Sequence, residues 1–218
     1  GLERNIAEMS RLAGEAGVRL RPHTKIHESP AIAAMQIAAG ACGIEVGAIE
    51  RAVCMADAGI PDILIAHPFF GEQKLALLRR LLERPGLKLT LVVDMIEQAE
   101  GIAQTVKAGG RTVPVLIKID TGGGRFGVPP GEPALQLARQ LLCLPGISFA
   151  GLYAHESGGK PTPESLADVA RETAALAAES ARLLAKEGIP VHHLSVGASP
   201  TLRATCGLLR EGAFPEIT

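Results

Sequence analysis

The hydrophobic positions of the chain follow two alternating patterns, which are short apolar runs and longer stretches with helical spacing. The continuous apolar runs at 63–65, 91–93 and 115–117 are typical of parallel strands that are buried on both faces. The pattern predicts strands at 18–22, 43–46, 62–66, 88–93, 112–119, 148–154 and 192–196, and the beginning of a further strand at Glu216.

Helical spacing fills the segments between these strands, and glycine or proline marks most of the junctions. The alternation predicts an α/β fold, a (β/α)8 barrel in one domain over residues 1–218, with a doubly wound open sheet as the alternative. A barrel of this kind has about 250 residues, so we expect the chain to stop at the start of its last strand. Helices are predicted at 29–39, 49–58, 72–82, 96–108, 134–142, 163–186 and near Thr201, after a first helical pattern at Leu2, Ile6, Met9 and Leu12.

Composition narrows the classes of partner. The 218 residues are 47% hydrophobic and 21% charged, with a formal net charge of −1, so the chain offers no electrostatic footprint for nucleic acid or an anionic membrane. It has no Trp and one Tyr, which argues against a base-stacking surface. Its apolar stretches stop well short of the ~20 residues of a membrane span. Nucleic acid and membranes are therefore not expected partners.

The cysteines show no sign of a disulfide framework. Cys42, Cys54, Cys143 and Cys206 are scattered, without a Cys-x-x-Cys pair or a shared spacing to histidine. This pattern predicts reduced thiols in a cytoplasmic protein. Since no cluster of residues has metal-ligand spacing, the sequence predicts no metal site within the 218 residues.

The most informative segment for chemistry is RPHTKIH at 21–27. It places Lys25 at the end of the first predicted strand, between His23 and His27. A β/α barrel carries its catalytic groups at the carboxyl ends of the strands, and a lysine held there can form a Schiff base with an aldehyde cofactor. From spacing alone, a surface lysine at a strand end is the alternative.

A second candidate follows the strand predicted at 192–196. The small residues Gly197, Ala198 and Ser199 form a turn before a helix, and the backbone N–H groups of such a turn suit a phosphate. The alternative is an ordinary helix start, in which Ser199 is the N-cap and Pro200 is the first helical residue.

Two further strand ends carry candidate side chains. Tyr153 and His155 end the strand predicted at 148–154. His155 is a candidate general acid–base or substrate contact, whereas Tyr153 is either a site residue or a half-buried barrel residue. His67 also ends a strand, although a structural role is favoured for it. Glu45 and Asp94 end strands too, where salt bridges across the barrel mouth explain them equally well.

The glycine-rich segment at 119–127 imitates a dinucleotide-binding motif through Gly122, Gly124 and Gly127. We reject that interpretation because two prolines, Pro129 and Pro130, follow at once, and no acidic residue follows at the spacing that the motif requires. Arg125 within this segment is a candidate site residue, and a loop arginine that bonds carbonyl groups is the alternative.

RPHTKIH resembles the cofactor-lysine segment of the D-threonine aldolase and D-serine dehydratase family, pyridoxal-phosphate enzymes with a barrel of the alanine racemase N-terminal type. The segment at 119–127 resembles that family's Asp-Thr-Gly-x-x-Arg-x-Gly stretch. The turn after the strand predicted at 192–196 resembles the family's phosphate loop, with Ala198 in place of a hydroxyl residue. Tyr153 and His155 match part of its Tyr-x-His segment, whereas the later His and Tyr are absent.

The resemblance assigns roles to these residues. It implies that Lys25 carries pyridoxal 5'-phosphate and that His155 is catalytic. The implied cofactor contacts, besides Lys25, are His23, Arg125, Tyr153, Gly197, Ala198 and Ser199.

The resemblance also implies a function. The expected activity is a pyridoxal-phosphate-dependent lyase for D-β-hydroxy amino acids, either a D-threonine aldolase, which we favour, or a D-serine dehydratase. An amino-acid racemase and a non-catalytic cofactor-carrying barrel are the alternatives. Family members add a C-terminal β domain that is missing from these 218 residues, and that domain holds a divalent metal and closes the site across a dimer. We therefore expect zinc or manganese, and a homodimer, only for a longer chain.

Overall fold

A six-stranded parallel sheet forms the centre of the computed structural model, which describes residues 1–156 and 162–214. Neighbouring strands pair in sequence order, and every pair is parallel. This consecutive order excludes the doubly wound alternative, in which the order reverses at the middle of the sheet. The strands are β1 (Ile44–Val46), β2 (Asp62–Ile65), β3 (Lys88–Val93), β4 (Val113–Ile119), β5 (Ile147–Ala154) and β6 (His193–Ser195).

Helices precede, connect and follow the strands, as the periodicity predicts. The predictions for 72–82 and 96–108 are confirmed to the residue, and the other helices differ by a few residues at their ends. The second helix starts where Ser29 caps it, because the Ser29 hydroxyl accepts a hydrogen bond from the Ile32 N–H at 3.4 Å. The helices are α1 (Leu2–Glu15), α2 (Pro30–Ala38), α3 (Ile49–Asp57), α4 (Glu72–Leu82), α5 (Ile96–Ala108), α6 (Glu132–Leu142), α7 (Leu166–Lys186) and α8 (Leu202–Arg210), with a 3-10 turn at Thr24–Ile26.

The two faces of the sheet bury different sets of side chains, because successive residues of a strand point to opposite faces. The outer face is aliphatic and packs into the main core beneath the helices, with Ile44, Ile63 and Ile117 fully buried. The inner face has a smaller apolar cluster made of Leu64, Ala66, Val92, Leu116, Ala150 and Tyr153.

The sheet is strongly curved around this inner cluster. In a flat sheet, β1 and β5 would lie about 19 Å apart, since neighbouring strands are spaced by about 4.8 Å. Here the Tyr153 hydroxyl on β5 lies 2.5 Å from Glu45 Oε1 on β1. The six strands therefore curl into a half-barrel, with the inner face concave.

The expectation of eight strands is not met, because residues 1–156 and 162–214 contribute six. The strand predicted at 18–22 is wrong as a strand. That segment runs beside β1, where the Leu20 and Pro22 carbonyl oxygens accept hydrogen bonds from the N–H groups of Cys42 and Glu45 at 2.9 and 2.8 Å. Its ladder pairing, however, is an isolated parallel bridge between His23 and Glu45. Pro22 has no N–H to donate to a ladder. The Arg21 side chain lies across the first residues of β1 and β2, where it donates hydrogen bonds to Ile44 O and Asp62 Oδ1. The strand predicted at Glu216 lies outside the described residues.

Gly151 allows β6 to lie close to β5. Its φ of +148° and its position opposite His193 leave no room for a side chain, since an added Cβ would lie 1.9 Å from the His193 carbonyl oxygen. The register of β4 against β5 also shifts between Val115 and Leu116. This irregularity lies upstream of Tyr153 and His155 in the chain. Among the described helices, none has the length and apolar character needed to cross a membrane.

Candidate active site

The RPHTKIH motif is fastened to β1 along its length. The Glu45 N–H donates to the Pro22 carbonyl oxygen at 2.8 Å, and the buried Thr24 hydroxyl donates to the Glu45 carbonyl oxygen at 3.1 Å. His23 then caps the 3-10 turn, since its Nδ1 accepts from the Lys25 N–H at 3.1 Å. These contacts hold Lys25 exposed at the carboxyl end of β1.

The predicted site residues come together around one cavity, although they are distant in sequence. The cavity has a volume of about 670 Å³, which is the size of a small-molecule site. Seven of the eight predicted residues line it: His23, Lys25, Tyr153, His155, Gly197, Ala198 and Ser199. Arg125 does not line the cavity.

Arg125 instead lies exposed on the rim of the mouth. Its guanidinium carbon is 5.0 Å from the centre of the Phe126 ring. The centres of the Phe126 and His67 rings are 5.2 Å apart, and the centres of the His67 and His23 rings are 6.3 Å apart. This row of side chains connects the glycine-rich loop with the lysine motif. Arg125 and His67 therefore border the site through their neighbours.

The glycine-rich loop uses its N–H groups internally. Asp120 Oδ1 accepts hydrogen bonds from the backbone N–H groups of Gly122, Gly123 and Gly124 at 3.1, 2.9 and 3.2 Å. Gly127, with φ of +110°, passes so close to the backbone of Asp120 that a Cβ would lie 2.6 Å from its nitrogen. The next helix begins only at Glu132. These contacts support the rejection of a dinucleotide site, because the donors of the loop already have an acceptor.

The turn after β6 is built differently from the simple helix start considered above. Thr201, not Ser199, is the N-cap of α8, so that alternative is wrong. The Thr201 hydroxyl is buried, donates to Glu156 Oε1 at 2.6 Å and accepts from the Ala198 N–H at 3.2 Å. Ser199 is exposed at the cavity. The Ala198 N–H is therefore already paired within the turn, whereas the Ser199 side chain is exposed.

His155 contacts the same turn. Its Nδ1 lies 3.2 Å from the Gly197 carbonyl oxygen, which can only accept, so Nδ1 carries a proton. Burial lowers the pKa of His155 below its usual value. In the neutral ring with its proton on Nδ1, the basic lone pair is on Nε2.

A buried polar cluster lies at the floor of the cavity, where Glu45 and Tyr153 line it and Lys118 packs behind Tyr153. Each of the three residues is less than 7% exposed. Tyr153 donates to Glu45 Oε1, and Lys118 Nζ lies 4.6 Å from the centre of the Tyr153 ring. Burial raises the pKa of Glu45 to about 7 and lowers the pKa of Lys118 to about 8. Burial also lowers the pKa of His23 to about 4. The floor therefore disfavours charge, and its acid and base both titrate near neutral pH.

Two members of this site escaped the sequence analysis. Lys118 interrupts the apolar run of β4, and a charged residue inside a buried strand is a signal that could have been used. Glu156 lies next to His155, and its role depends on Thr201, which is distant in sequence. Glu45 was considered only for salt bridges. Its Oε1 lies 3.7 Å from His23 Nε2, yet its hydrogen bond is to Tyr153.

Comparison with known proteins gives a consistent relationship. The model of the family described as "Alanine racemase, N-terminal domain" matches residues 1–210. The chain is 37% identical to D-threonine aldolase from Arthrobacter sp over 199 residues, which cover 90% of this chain and 52% of that protein. It is 37% identical to D-threo-3-hydroxyaspartate dehydratase from Delftia sp. (strain HT23) over 213 residues, which cover 95% of this chain and 55% of that protein.

Solved structures agree with this relationship. The crystal structure of D-threonine aldolase from Filomicrobium marinum superposes with a TM-score of 0.87 at 32% identity, and the match covers 94% of this chain and 56% of that one. A metal-free C353A mutant of D-threo-3-hydroxyaspartate dehydratase superposes with a TM-score of 0.84 at 35% identity, covering 100% of this chain and 56% of that one. The chain thus spans about half the length of the curated relatives that it matches.

Proposed function

Because the chain belongs to the alanine racemase N-terminal domain family, we propose that it is the cofactor-binding barrel of a pyridoxal-phosphate-dependent lyase for D-β-hydroxy amino acids. One observation carries the proposal. A single cavity is lined by Lys25, by His155 and by the turn at 197–199. It therefore combines an amine, an acid–base group and an anion-binding turn.

The residues of the cavity fit pyridoxal phosphate. Lys25 is exposed at the mouth, where its amine can hold the cofactor's aldehyde carbon. The turn at 197–199 precedes the nine-residue helix α8, and the N-terminus of a helix favours a phosphate. Gly197 has φ of +112° and no neighbour within 4 Å of an added Cβ, so the backbone there is open to a ligand. When bound, pyridoxal phosphate supplies the electron sink for bond breaking at the substrate's α-carbon.

The chain's own residues then have separate tasks. Gly197 and Ser199 bind the phosphate, and the Ala198 N–H is committed to Thr201. His155 accepts or returns a proton at Nε2, because its Nδ1–H faces the Gly197 carbonyl. Tyr153 and His23, which both line the cavity, would hold the cofactor ring, and Arg125 would act from the rim.

We propose the aldolase reaction first, with D-threonine as substrate, and the dehydratase reaction second. Both are supported by relatives at the same 37% identity. In a longer chain, we propose that a C-terminal β domain brings the divalent metal, zinc or manganese, and completes a homodimer. The description of a dehydratase structure as a metal-free form supports metal binding in that relative. Residues 1–218 are proposed to be one barrel domain of a cytoplasmic protein.

The cofactor assignment is tested by covalent mapping. The chain is incubated with pyridoxal phosphate, reduced with borohydride, digested and analysed by mass spectrometry. We expect a phosphopyridoxyl mass on Lys25, which the Lys25→Arg variant loses. The matched variant Lys74→Arg should retain the adduct, since Lys74 lies on the outer helix α4 and pairs with Glu50. An adduct that is absent from Lys25, or that survives in Lys25→Arg, contradicts the proposal.

The reaction is tested on a chain that continues through the C-terminal domain. Supplied with D-threonine, an aldolase yields glycine and acetaldehyde. Supplied with D-serine, a dehydratase yields pyruvate. Appearance of the L-enantiomer would identify a racemase, and no turnover despite an adduct on Lys25 would identify a cofactor-carrying barrel. The last two outcomes each reject the lyase proposal.

A further inference from the structure

Glu45 has the most extensive contacts of the buried floor, and the proposed function assigns it no role. It lies in the centre of β1, is 6% exposed and stands directly below the lysine motif. An ionisable group is rarely buried to this extent unless it is paired. The contacts of Glu45 with the motif and with Tyr153 show what it does.

We propose that Glu45 is a positioning residue of the Lys25 site, whose carboxylate orients Tyr153 and the His23 ring through one oxygen atom. The inference rests on the proposed function only where it concerns cofactor binding. Its geometric content, the placement of two side chains and one backbone turn, concerns this chain alone and can be tested without a cofactor.

The backbone of Glu45 is hydrogen-bonded to the lysine motif on both sides of the residue. Its N–H donates to the Pro22 carbonyl oxygen at 2.8 Å, and its carbonyl oxygen accepts from the Thr24 hydroxyl at 3.1 Å. Its carboxylate faces His23 between these two contacts. The Glu45 backbone therefore fixes the turn that carries Lys25 beside the Glu45 carboxylate.

The two nitrogens of the His23 ring have different neighbours, and these determine where its proton lies. Nδ1 of His23 accepts from the Lys25 N–H at 3.1 Å, so the single proton of the neutral ring is on Nε2. Nε2 is buried, has no hydrogen-bond partner among the described residues and lies 3.7 Å from Glu45 Oε1. That distance is beyond a hydrogen bond, and the contact is electrostatic. The carboxylate thus favours the tautomer that leaves Nδ1 free to cap the Lys25 turn.

Tyr153 is the other side chain that Glu45 orients. Its hydroxyl donates to the same oxygen, Glu45 Oε1, at 2.5 Å. The groups that face Glu45 are Tyr153 from β5, Lys118 from β4, and Arg21, His23 and Lys25 from the segment beside β1. The cations favour the carboxylate, whereas burial is the largest influence and raises the pKa of Glu45 to about 7. The hydrogen bond to Tyr153 therefore changes from a neutral acceptor to an ionised one near neutral pH.

The composition of the chain provides a direct probe, because Tyr153 is its single tyrosine and it has no tryptophan. We would record the ultraviolet absorbance and fluorescence of the full 218-residue chain between pH 5 and pH 9. We expect a spectral transition with a midpoint near pH 7, since ionisation of Glu45 strengthens the hydrogen bond that Tyr153 donates. The Glu45→Gln variant keeps an acceptor for Tyr153 and should lose this transition, whereas any transition near pH 8 from Lys118, which lies over the Tyr153 ring, should remain.

Glu50→Gln is the matched control, because it is the same substitution on the next helix and removes a carboxylate that pairs with Lys74. It should keep the wild-type midpoint. Circular dichroism at both pH limits establishes that each variant is folded. A flat wild-type spectrum, or an unchanged midpoint in Glu45→Gln, overturns the inference.

Two further measurements keep the inference testable if Glu45→Gln does not fold. Two-dimensional 15N correlation of the histidine side chains in the wild-type chain should show His23 with its proton on Nε2, and the opposite tautomer would overturn the inference. Glu45→Asp, which shortens the side chain but keeps its charge, should weaken pyridoxal phosphate binding about 10-fold, the equivalent of one lost hydrogen bond. Unchanged affinity in a folded Glu45→Asp variant also overturns it. Absence of any adduct on Lys25, with the Tyr153 transition present, would reject the proposed function alone.

Discussion

The outer and inner faces of the sheet are equally buried but chemically different. The outer face presents Ile44, Ile63 and Ile117 to the helices, all fully buried. The inner face, built from the alternate residues of the same strands, holds Leu64 and Leu116 next to Glu45, Lys118 and Tyr153. Since burial of an ionisable group is unfavourable unless it is paired, the inner face retains these groups only where they contact one another. The outer face stabilises the fold, and the inner face carries the chemistry.

The largest expected difference between the faces is in packing. Ile117→Ala should lower the free energy of unfolding by about 4 kcal/mol, because it leaves a cavity in a closed aliphatic core. Leu116→Ala, one residue earlier, should lower it by about 2 kcal/mol, since Leu116 lines the existing cavity and water or neighbours can fill the space. Urea unfolding of both variants measures the difference. Equal losses would show that the two faces are packed alike.

The next effect is a pH dependence that belongs to the inner face. The pKa of Glu45 is raised from 4.5 to about 7 in the folded chain, so the folded state binds its proton more tightly than the unfolded state. Stability from this group is full below pH 4.5 and is lost as the pH rises to 7. The difference corresponds to about 3 kcal/mol. Relative to wild type, Glu45→Gln should therefore gain stability as the pH rises from 4.5 to 7.

A carboxylate on the outer helices should behave in the opposite way. The hydrogen bond from Lys74 lowers the pKa of Glu50, so its contribution to stability is present above the unfolded pKa and is lost in acid. Glu50→Gln should accordingly lose stability relative to wild type as the pH rises through 4.5. Urea unfolding at pH 3, 4.5, 6 and 8 compares the two variants. If the stability of both variants relative to wild type changed in the same direction with pH, the pKa of Glu45 would not be raised by burial.

The chemical difference between the outer and inner faces also explains which parts of the structure the sequence could predict. Periodicity located the helices and six of the strands, because the aliphatic outer face repeats in each strand–helix unit. The segment at 18–22 has the composition of a strand and accepts two backbone hydrogen bonds from the β1 segment, but it forms no continuous ladder, since Pro22 lacks a donor and the Arg21 side chain occupies the Ile44 carbonyl oxygen. No local pattern distinguishes such a segment from a paired strand.

The candidate site was predictable where a motif is contiguous and not where it depends on curvature. Lys25 and His23 lie in one heptapeptide, and the turn at 197–199 in another short segment, and the structure brings both to one cavity. The contact between Glu45 on β1 and Tyr153 on β5 arises because the curvature of the sheet brings together strands that are four positions apart. The contact between Glu156 and Thr201 likewise joins two loops. Neither pairing has a spacing that sequence alone could reveal.

The smallest effects separate two hydroxyl groups of the turn that follows β6. Thr201→Val removes a buried hydroxyl and leaves the Glu156 oxygen without its donor. Such a change should lower the free energy of unfolding by about 2 kcal/mol, even without cofactor. Ser199→Ala should leave stability within about 0.5 kcal/mol, as for an exposed side chain, and should weaken pyridoxal phosphate binding by up to about 10-fold. Thermal unfolding with and without pyridoxal phosphate measures both quantities. If Ser199→Ala left the cofactor-dependent shift unchanged, the phosphate contact would belong to the backbone of the turn and the serine would have no part in it.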